Sequence, residues 1–300
     1  MKYRSATKLA ILTTLVSQLS LASITSAQQP DDLLGPDSKR QSDVPQGTVH
    51  TYTWDTSRVF SGTYREFHVY VPAQYDATRP AALMVFQDGT KYADPSNWFR
   101  IPIVFDNLIH QGDMPVTIAI LIDPGSKVTG PGERPDRANR SREYDAVTDA
   151  YSRFLIEEII PEVAKQYNLT DKAEYRAICG TSSGAICAFT AAWMRPDYFG
   201  KVLSGNGTFV NILGGHQYPS MIRTTPAKPI RVFIQDGAND LNNQYGDWFL
   251  ANQQMVSALK FKGYDVKAVW GVEGHNPREF GPYLPHSLRW LWRDHAEETP

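Results

Sequence analysis

The sequence predicts an α/β fold, a mainly parallel central sheet of about eight strands with helices on both faces. Three observations predict it. Apolar runs of strand length recur along the chain, segments of helical spacing lie between the later runs, and the composition is that of a globular core. The last point rests on 300 residues, 42% hydrophobic and 21% charged, enough to fill one substantial α/β domain.

Residues 1–27 come first and stand apart. Lys2, Arg4 and Lys8 precede an apolar stretch over 9–24, and Thr25-Ser26-Ala27 supplies small residues before Gln28. This is the layout of a secretory signal peptide, so a secreted or periplasmic protein is expected. Thr, Ser and Gln interrupt the stretch, which argues against a membrane anchor, and stable membrane insertion is not expected. Removing the segment takes away three positive and no negative side chains, moving the formal charge from −2 to −5. A mildly acidic chain has no net basic footprint for phosphates, so nucleic acid is not expected as a partner. Residues 28–46 are polar and rich in Pro and Asp and read as a flexible leader. A single catalytic domain is expected over 47–300.

Strands are predicted at 50–55, 65–71, 82–87, 116–122, 175–179, 201–204, 230–235 and 265–271. Ser61-Gly62-Thr63 joins the first two as an antiparallel pair. Helices are predicted at 98–110, 144–167, 183–193, 248–262 and 284–292. Strands alternating with helices put the ligand crevice beyond the carboxyl ends of the strands.

Gly180-Thr181-Ser182-Ser183-Gly184 lies between the fifth strand and the helix after it. A bare G-x-S-x-G arises by chance in about one in ten chains of this length, so the strand-turn-helix context carries the weight. Glycines flank the serine because the turn is sharp and strand and helix pack close to it. The spacing selects Ser182 over Ser183 as nucleophile, and the Ser183 N–H, opening a helix, would face an oxyanion.

A serine hydroxyl needs a base, and this chain order requires a histidine after it. His50, His68 and His110 precede Ser182. Among His216, His275, His286 and His295, the loop after the last strand favours His275; His216 is a pocket candidate instead. The acid is sought after the penultimate strand, in Asp236-Gly237-Ala238-Asn239-Asp240. Asp240 is preferred to Asp236, which sits before the glycine turn, with Asp247 a third choice. A second oxyanion N–H is expected from Gly89 or Thr90, after the third strand. Asp88, Tyr92 and Trp98 beside it are pocket candidates, and Arg142 with Glu143 reads as an ion pair. Cys179 and Cys187 match no metal or disulfide pattern and read as buried free thiols.

Several motifs in order resemble the enterochelin-esterase-like serine esterases of the α/β-hydrolase superfamily: VFQDG (85–89), EYD (143–145), GTSSGA (180–185), DGANDLN (236–242), GHN (274–276) and LPHSLRWLW (284–292). The resemblance spans roughly 65–292 and implies ester hydrolysis with Ser182, His275 and Asp240, without metal or organic cofactor. Asn276-Pro277-Arg278-Glu279-Phe280-Gly281, after His275, departs from the glycine-rich continuation of that family. The expected substrate is a small-molecule or polysaccharide-linked ester, of siderophore or feruloyl type. An acyltransferase with an alcohol or sugar acceptor, or a non-catalytic binding module on the same scaffold, stays open on the sequence.

Overall fold

A computed structural model describes residues 33–127 and 137–295. The predicted signal peptide and residues 28–32 of the leader lie outside the described residues. Eight strands form the main sheet: β1 (Thr48–Trp54), β2 (Arg65–Val71), β3 (Ala82–Gln87), β4 (Thr117–Ile122), β5 (Arg176–Thr181), β6 (Lys201–Gly205), β7 (Arg231–Gly237) and β10 (Val266–Gly271), with a short hairpin β8 (Asn242–Asn243) and β9 (Gly246–Asp247) outside it. The order is β1-β2-β4-β3-β5-β6-β7-β10. β2 runs antiparallel to both β1 and β4, while β3 to β7 and β10 pair in parallel. Each predicted strand is present, and the α/β-hydrolase type of sheet follows.

The helices are α1 (Gly89–Ala93), α2 (Ile101–Gln111), α3 (Arg137–Tyr144), α4 (Ala150–Phe154), α5 (Ile160–Ala164), α6 (Ser183–Met194), α7 (Tyr218–Thr224), α8 (Trp248–Phe261), α9 (Pro277–Phe280) and α10 (Leu284–Leu291). All of β3 is buried, and its side chains divide by parity. Leu83 and Val85 pack with Phe189 and Trp193 on one face, whereas Ala82, Met84 and Phe86 pack with Phe105, Leu288 and Trp292 on the other. The period of two in a strand therefore serves two helical layers at once.

Two expectations need correction. The helix expected over 144–167 is divided: α4 passes into a π-helical turn, Leu155–Ile159, before α5. Pro161 has no N–H to give and crowds the carbonyl one turn back, so the bond ladder widens there. The π turn aims Glu158 at the edge hairpin, where Oε1 accepts from the N–H groups of Arg58 and Val59, both at 2.9 Å. The second correction concerns the leader expected over 28–46. Its described part is seated on the sheet's helical layer: Leu34 is buried, Asn107 donates to the carbonyls of Asp37 (2.8 Å) and Lys39 (2.9 Å), and Asp37 pairs with Arg289 at 2.8 Å. Buried Asp106 explains the attachment, accepting from Gly47 N–H at 2.7 Å and Tyr70 hydroxyl at 2.7 Å and pairing with Arg40. Polar composition concealed it because the tie is made of hydrogen bonds.

Candidate active site

Ser182 stands between β5 and α6 at φ 58°, ψ −126°, a conformation that L residues avoid and that costs of order 1–3 kcal/mol. The neighbouring glycines make it reachable. A Cβ on Gly180 would lie 2.3 Å from the Gly184 backbone, and one on Gly184 would meet Gln87 Cβ at 3.1 Å. The bend leaves Ser182 N–H bonded to Gly205 O at 3.0 Å and lifts the side chain away from the strand.

His275 Nε2 lies 2.8 Å from Ser182 Oγ, and His275 Nδ1 lies 2.6 Å from Asp240 Oδ1. The three residues come from the ends of β5, β7 and β10, the crevice side of a parallel sheet. The Asp240 carboxylate is fully buried and the imidazole is one-fifth exposed. Burial pushes Asp240 upward, but its bonds to His275 and Asp236 outweigh it, and its pKa is lowered. Asp236 behaves oppositely: burial first, then the adjacent Asp240, push its carboxyl well above the usual range. Asp236 is fully buried and accepts from Gly237 N–H (2.8 Å), Asn206 Nδ2 (3.1 Å) and Asn252 Nδ2 (2.7 Å). It holds the loop, and Asp240 faces the imidazole. Asn206 Nδ2 also donates to Asp240 Oδ2 at 3.1 Å, bridging the two carboxyls. Asp247, the third choice, caps α8 by accepting from Leu250 N–H at 2.9 Å.

The loop after β3 departs from expectation in detail. Thr90 N–H donates to Asp123 Oδ1 at 3.1 Å, so it is already engaged and does not face Ser182 as an oxyanion donor. Gly89 opens α1, as Ser183 opens α6, and first-turn N–H groups have no acceptor within their helix. Glycine is required at 89, since a Cβ there would stand 1.9 Å from the Leu121 backbone. Asp88, expected to line the pocket, is spent on Arg140, which donates to both its oxygens at 2.8 and 2.6 Å. Tyr92 is corrected outright: it is fully buried and stacked on Phe99 with centroids 4.3 Å apart, a core residue rather than pocket wall. Trp98 is half-buried with the Arg278 guanidinium 5.9 Å from its ring, beside the chain that follows His275. His216 is exposed on the short turn Gly215–Gln217, and no bond links it to the Ser182 cluster among the described residues. The expected Arg142–Glu143 pair is instead Arg65–Glu143, fully buried at 2.7 Å, with Arg142 exposed. Cys179 and Cys187 are both free and buried, and burial pushes both thiols up.

Glu279 was not singled out in the sequence. Its Oε2 accepts from Glu273 N–H at 2.6 Å and its Oε1 from the Gln235 amide, so it clamps the loop carrying His275 to β7. The departure after His275 thus has a structural reason. Asn276 caps α9, its side chain accepting from Arg278 N–H at 2.9 Å, and Pro277 and Glu279 occupy the first and third helical positions. Asn-Pro-x-Glu is a helix-start signal that could have located this anchor.

A cavity of about 420 Å³ lined by Gln74, Tyr75, Arg79, Ala81, Pro115 and His295 lies near the amino ends of β3 and β4, away from the bonded constellation. Among the described residues no cluster of His, Cys, Asp and Glu suits a metal ion, and no helix is long and apolar enough to cross a membrane.

A strand-to-helix elbow over a mostly parallel sheet, with hydroxyl, imidazole and carboxylate joined in one bonded chain, defines an α/β-hydrolase. Residues 59–297 match the family model described as "Putative esterase", and the chain belongs to that family of carboxylic ester hydrolases. Its relatives include the uncharacterized protein YbbA of Bacillus subtilis, 22% identical over 76% of this chain and 92% of its own length. The iron(III) enterobactin esterase of Dickeya dadantii is 22% identical over 76% of this chain and 51% of its own length. The chain thus spans about half the length of that enterobactin esterase. Among solved structures, ferric enterobactin esterase from Salmonella typhimurium superposes with a TM-score of 0.70 at 21% identity, covering 91% of this chain and 63% of that one. A ferulic acid esterase from Anaeromyces mucronatus, in complex with ferulic acid, gives 0.64 at 20% identity over 85% and 95%.

Proposed function

We propose that this protein is a serine esterase in which Ser182 Oγ attacks the ester carbonyl while His275 Nε2 takes its proton and Asp240 holds the imidazole. The observation that carries this reading is the continuous Asp240–His275–Ser182 chain, at 2.6 and 2.8 Å, on a strained elbow. The N–H groups of Ser183 and Gly89 receive the oxyanion. The alcohol leaves with the proton from His275; water then attacks the acyl-enzyme as His275 takes its proton, and His275 passes that proton to Ser182 Oγ as the acid is released.

The substrate is an ester of a small acyl group of the siderophore or feruloyl class. Two features support it. The relatives include enterobactin and ferulic acid esterases, and the segments next to Asp240 expose Leu241 and Tyr245, with Asn211 N–H on Tyr245 O at 2.9 Å drawing in the stretch that exposes Leu213. Such side chains suit an acyl or aryl group lying over a polar centre. The charged and apolar layout of residues 1–27 supports export ahead of one catalytic domain.

Hydrolysis of p-nitrophenyl acetate by Ser182→Ala, with fluorophosphonate labelling read by peptide mass, tests the mechanism. Loss of turnover and of the label at Ser182 is expected; full turnover by the variant would sink it. A panel of acetyl, feruloyl and catecholate esters tests the substrate class.

A further inference from the structure

Ser182 Oγ has a second hydroxyl beside it. Thr208 Oγ1 lies 3.3 Å away, on the segment that follows β6. That segment is pinned residue by residue: Asn206 N–H donates to Gln235 O at 2.8 Å, Gly207 O accepts from Asn252 Nδ2 at 2.9 Å, and Thr208 N–H donates to Ser182 O at 3.3 Å. Thr208 is 1% exposed, so solvent does not supply its partners.

The direction of the bonds follows from what each group can do. The Trp248 indole N–H only donates, and it points at Thr208 Oγ1 from 3.2 Å, so that oxygen accepts there. The remaining need of Thr208 is an acceptor for its own proton. Ser182 Oγ fits, because the serine proton goes to His275 Nε2, whose Nδ1–H is turned to Asp240. The relay runs from Trp248 to Thr208 to Ser182 to His275.

We propose that Thr208 is a further catalytic residue of the reaction proposed above, its hydroxyl donating to Ser182 Oγ and stabilising that oxygen as it leaves the acyl group. In deacylation water adds to the acyl carbonyl as His275 takes its proton, the C–Oγ bond breaks and His275 delivers that proton to Oγ; Thr208 keeps its own proton and contributes only the hydrogen bond. The effect is unequal between the two half-reactions. A free serine oxygen is a good acceptor, so in acylation the bond already exists before the transition state. The ester oxygen of an acyl-enzyme is a poor acceptor, and the bond strengthens only as charge returns to Oγ, so it lowers the deacylation barrier selectively.

The test is stopped-flow hydrolysis of p-nitrophenyl acetate by Thr208→Val and Thr208→Ser, with the intact mass recorded during turnover. In Thr208→Val, nitrophenol release in the first turnover is expected to stay within about threefold of wild type, while steady-state turnover falls about tenfold. kcat and KM then fall together, kcat/KM changes little, and acyl-Ser182 accumulates; Thr208→Ser restores wild-type behaviour. Equal slowing of both phases, unchanged turnover, or a Thr208→Ser variant as slow as Thr208→Val would overturn the proposal. Absence of a fluorophosphonate label on Ser182 in the wild type would instead overturn the nucleophile reading on which it rests, and the proposal with it. Should Thr208→Val not fold, Trp248→Phe carries the test by releasing the aim of the hydroxyl. A rise in acyl-Ser182 is then expected, and unchanged occupancy would overturn the idea.

Discussion

Asn206 holds the carboxylate of Asp240 through a 3.1 Å bond made from a backbone position at φ 46°. Asparagine tolerates that left-handed conformation better than most residues while supplying an amide, and glycine would tolerate it without one. Asn206→Gly therefore removes the amide at no backbone cost. Buried carboxyls deprived of a donor lose about 1.5–3 kcal/mol, so kcat/KM is expected to fall about tenfold or more, and Tm to fall by a few degrees because Asp236 loses the same amide. Steady-state kinetics beside a thermal melt checks this.

Asp236 sets a pH dependence. Its folded-state pKa is raised, so the folded chain holds this proton more tightly than the unfolded chain, whose value is about 3.9. The stabilisation is complete below that value and is lost as pH rises through the folded-state value. Between these limits, stability contributed by this group falls with increasing pH. Melting Asp236→Asn against wild type over this range should show a flatter profile in the variant; identical slopes would refute the assignment.

The clamp beneath His275 predicts a catalytic cost from a residue outside the bonded chain of three. Glu279→Ala leaves Glu273 N–H and the Gln235 amide without their acceptor. A loss of about 1–3 kcal/mol of stability is expected, with a fall in kcat that a Glu279→Gln variant partly restores. Chemical denaturation and steady-state assays measure the two effects separately.

The two glycines of the elbow should not be equivalent. Gly180→Ala drives a Cβ to 2.3 Å from the Gly184 backbone, which cannot yield without moving α6, and a loss above about 4 kcal/mol is expected. Gly184→Ala meets Gln87 Cβ at 3.1 Å, a contact that a small shift relieves, at a cost of about 1–3 kcal/mol. Comparing soluble yield and denaturation midpoints would expose the ranking.

The main strands are legible from their apolar residues: β3 and β4, buried throughout, read as nearly continuous apolar runs, and β5, β6 and β7 each carry a shorter apolar centre. The order of Ser182, Asp240 and His275 was legible for a related reason: chain order along a parallel sheet fixes which loops meet at one end. The place of Tyr92 is not legible because a ring near the site in sequence can turn into the core, and its stack on Phe99 is a tertiary choice. The engagement of Thr90 is not legible because its N–H finds Asp123, 33 residues away. Glu279 and Thr208 are not legible because their partners, Gln235 for the first and Ser182 and Trp248 for the second, are brought to them by the tertiary fold; only the Asn-Pro-x-Glu pattern points to the first. The π turn was concealed by a continuous helical pattern, although Pro161 marks its end.

Asp106 sits where the edge of the sheet meets α2, with three donors arriving from Arg40, Gly47 and Tyr70. Two of the three belong to chain upstream of residue 59, where the family match begins. A shortened version trimmed to the matched span would discard those two, together with the whole of β1. It would leave a carboxylate that is 1% exposed with Tyr70 as its remaining donor of the three. The boundary of sequence kinship is therefore not a safe place to cut, and an expression clone for crystallography or display should begin upstream of the buried Leu34.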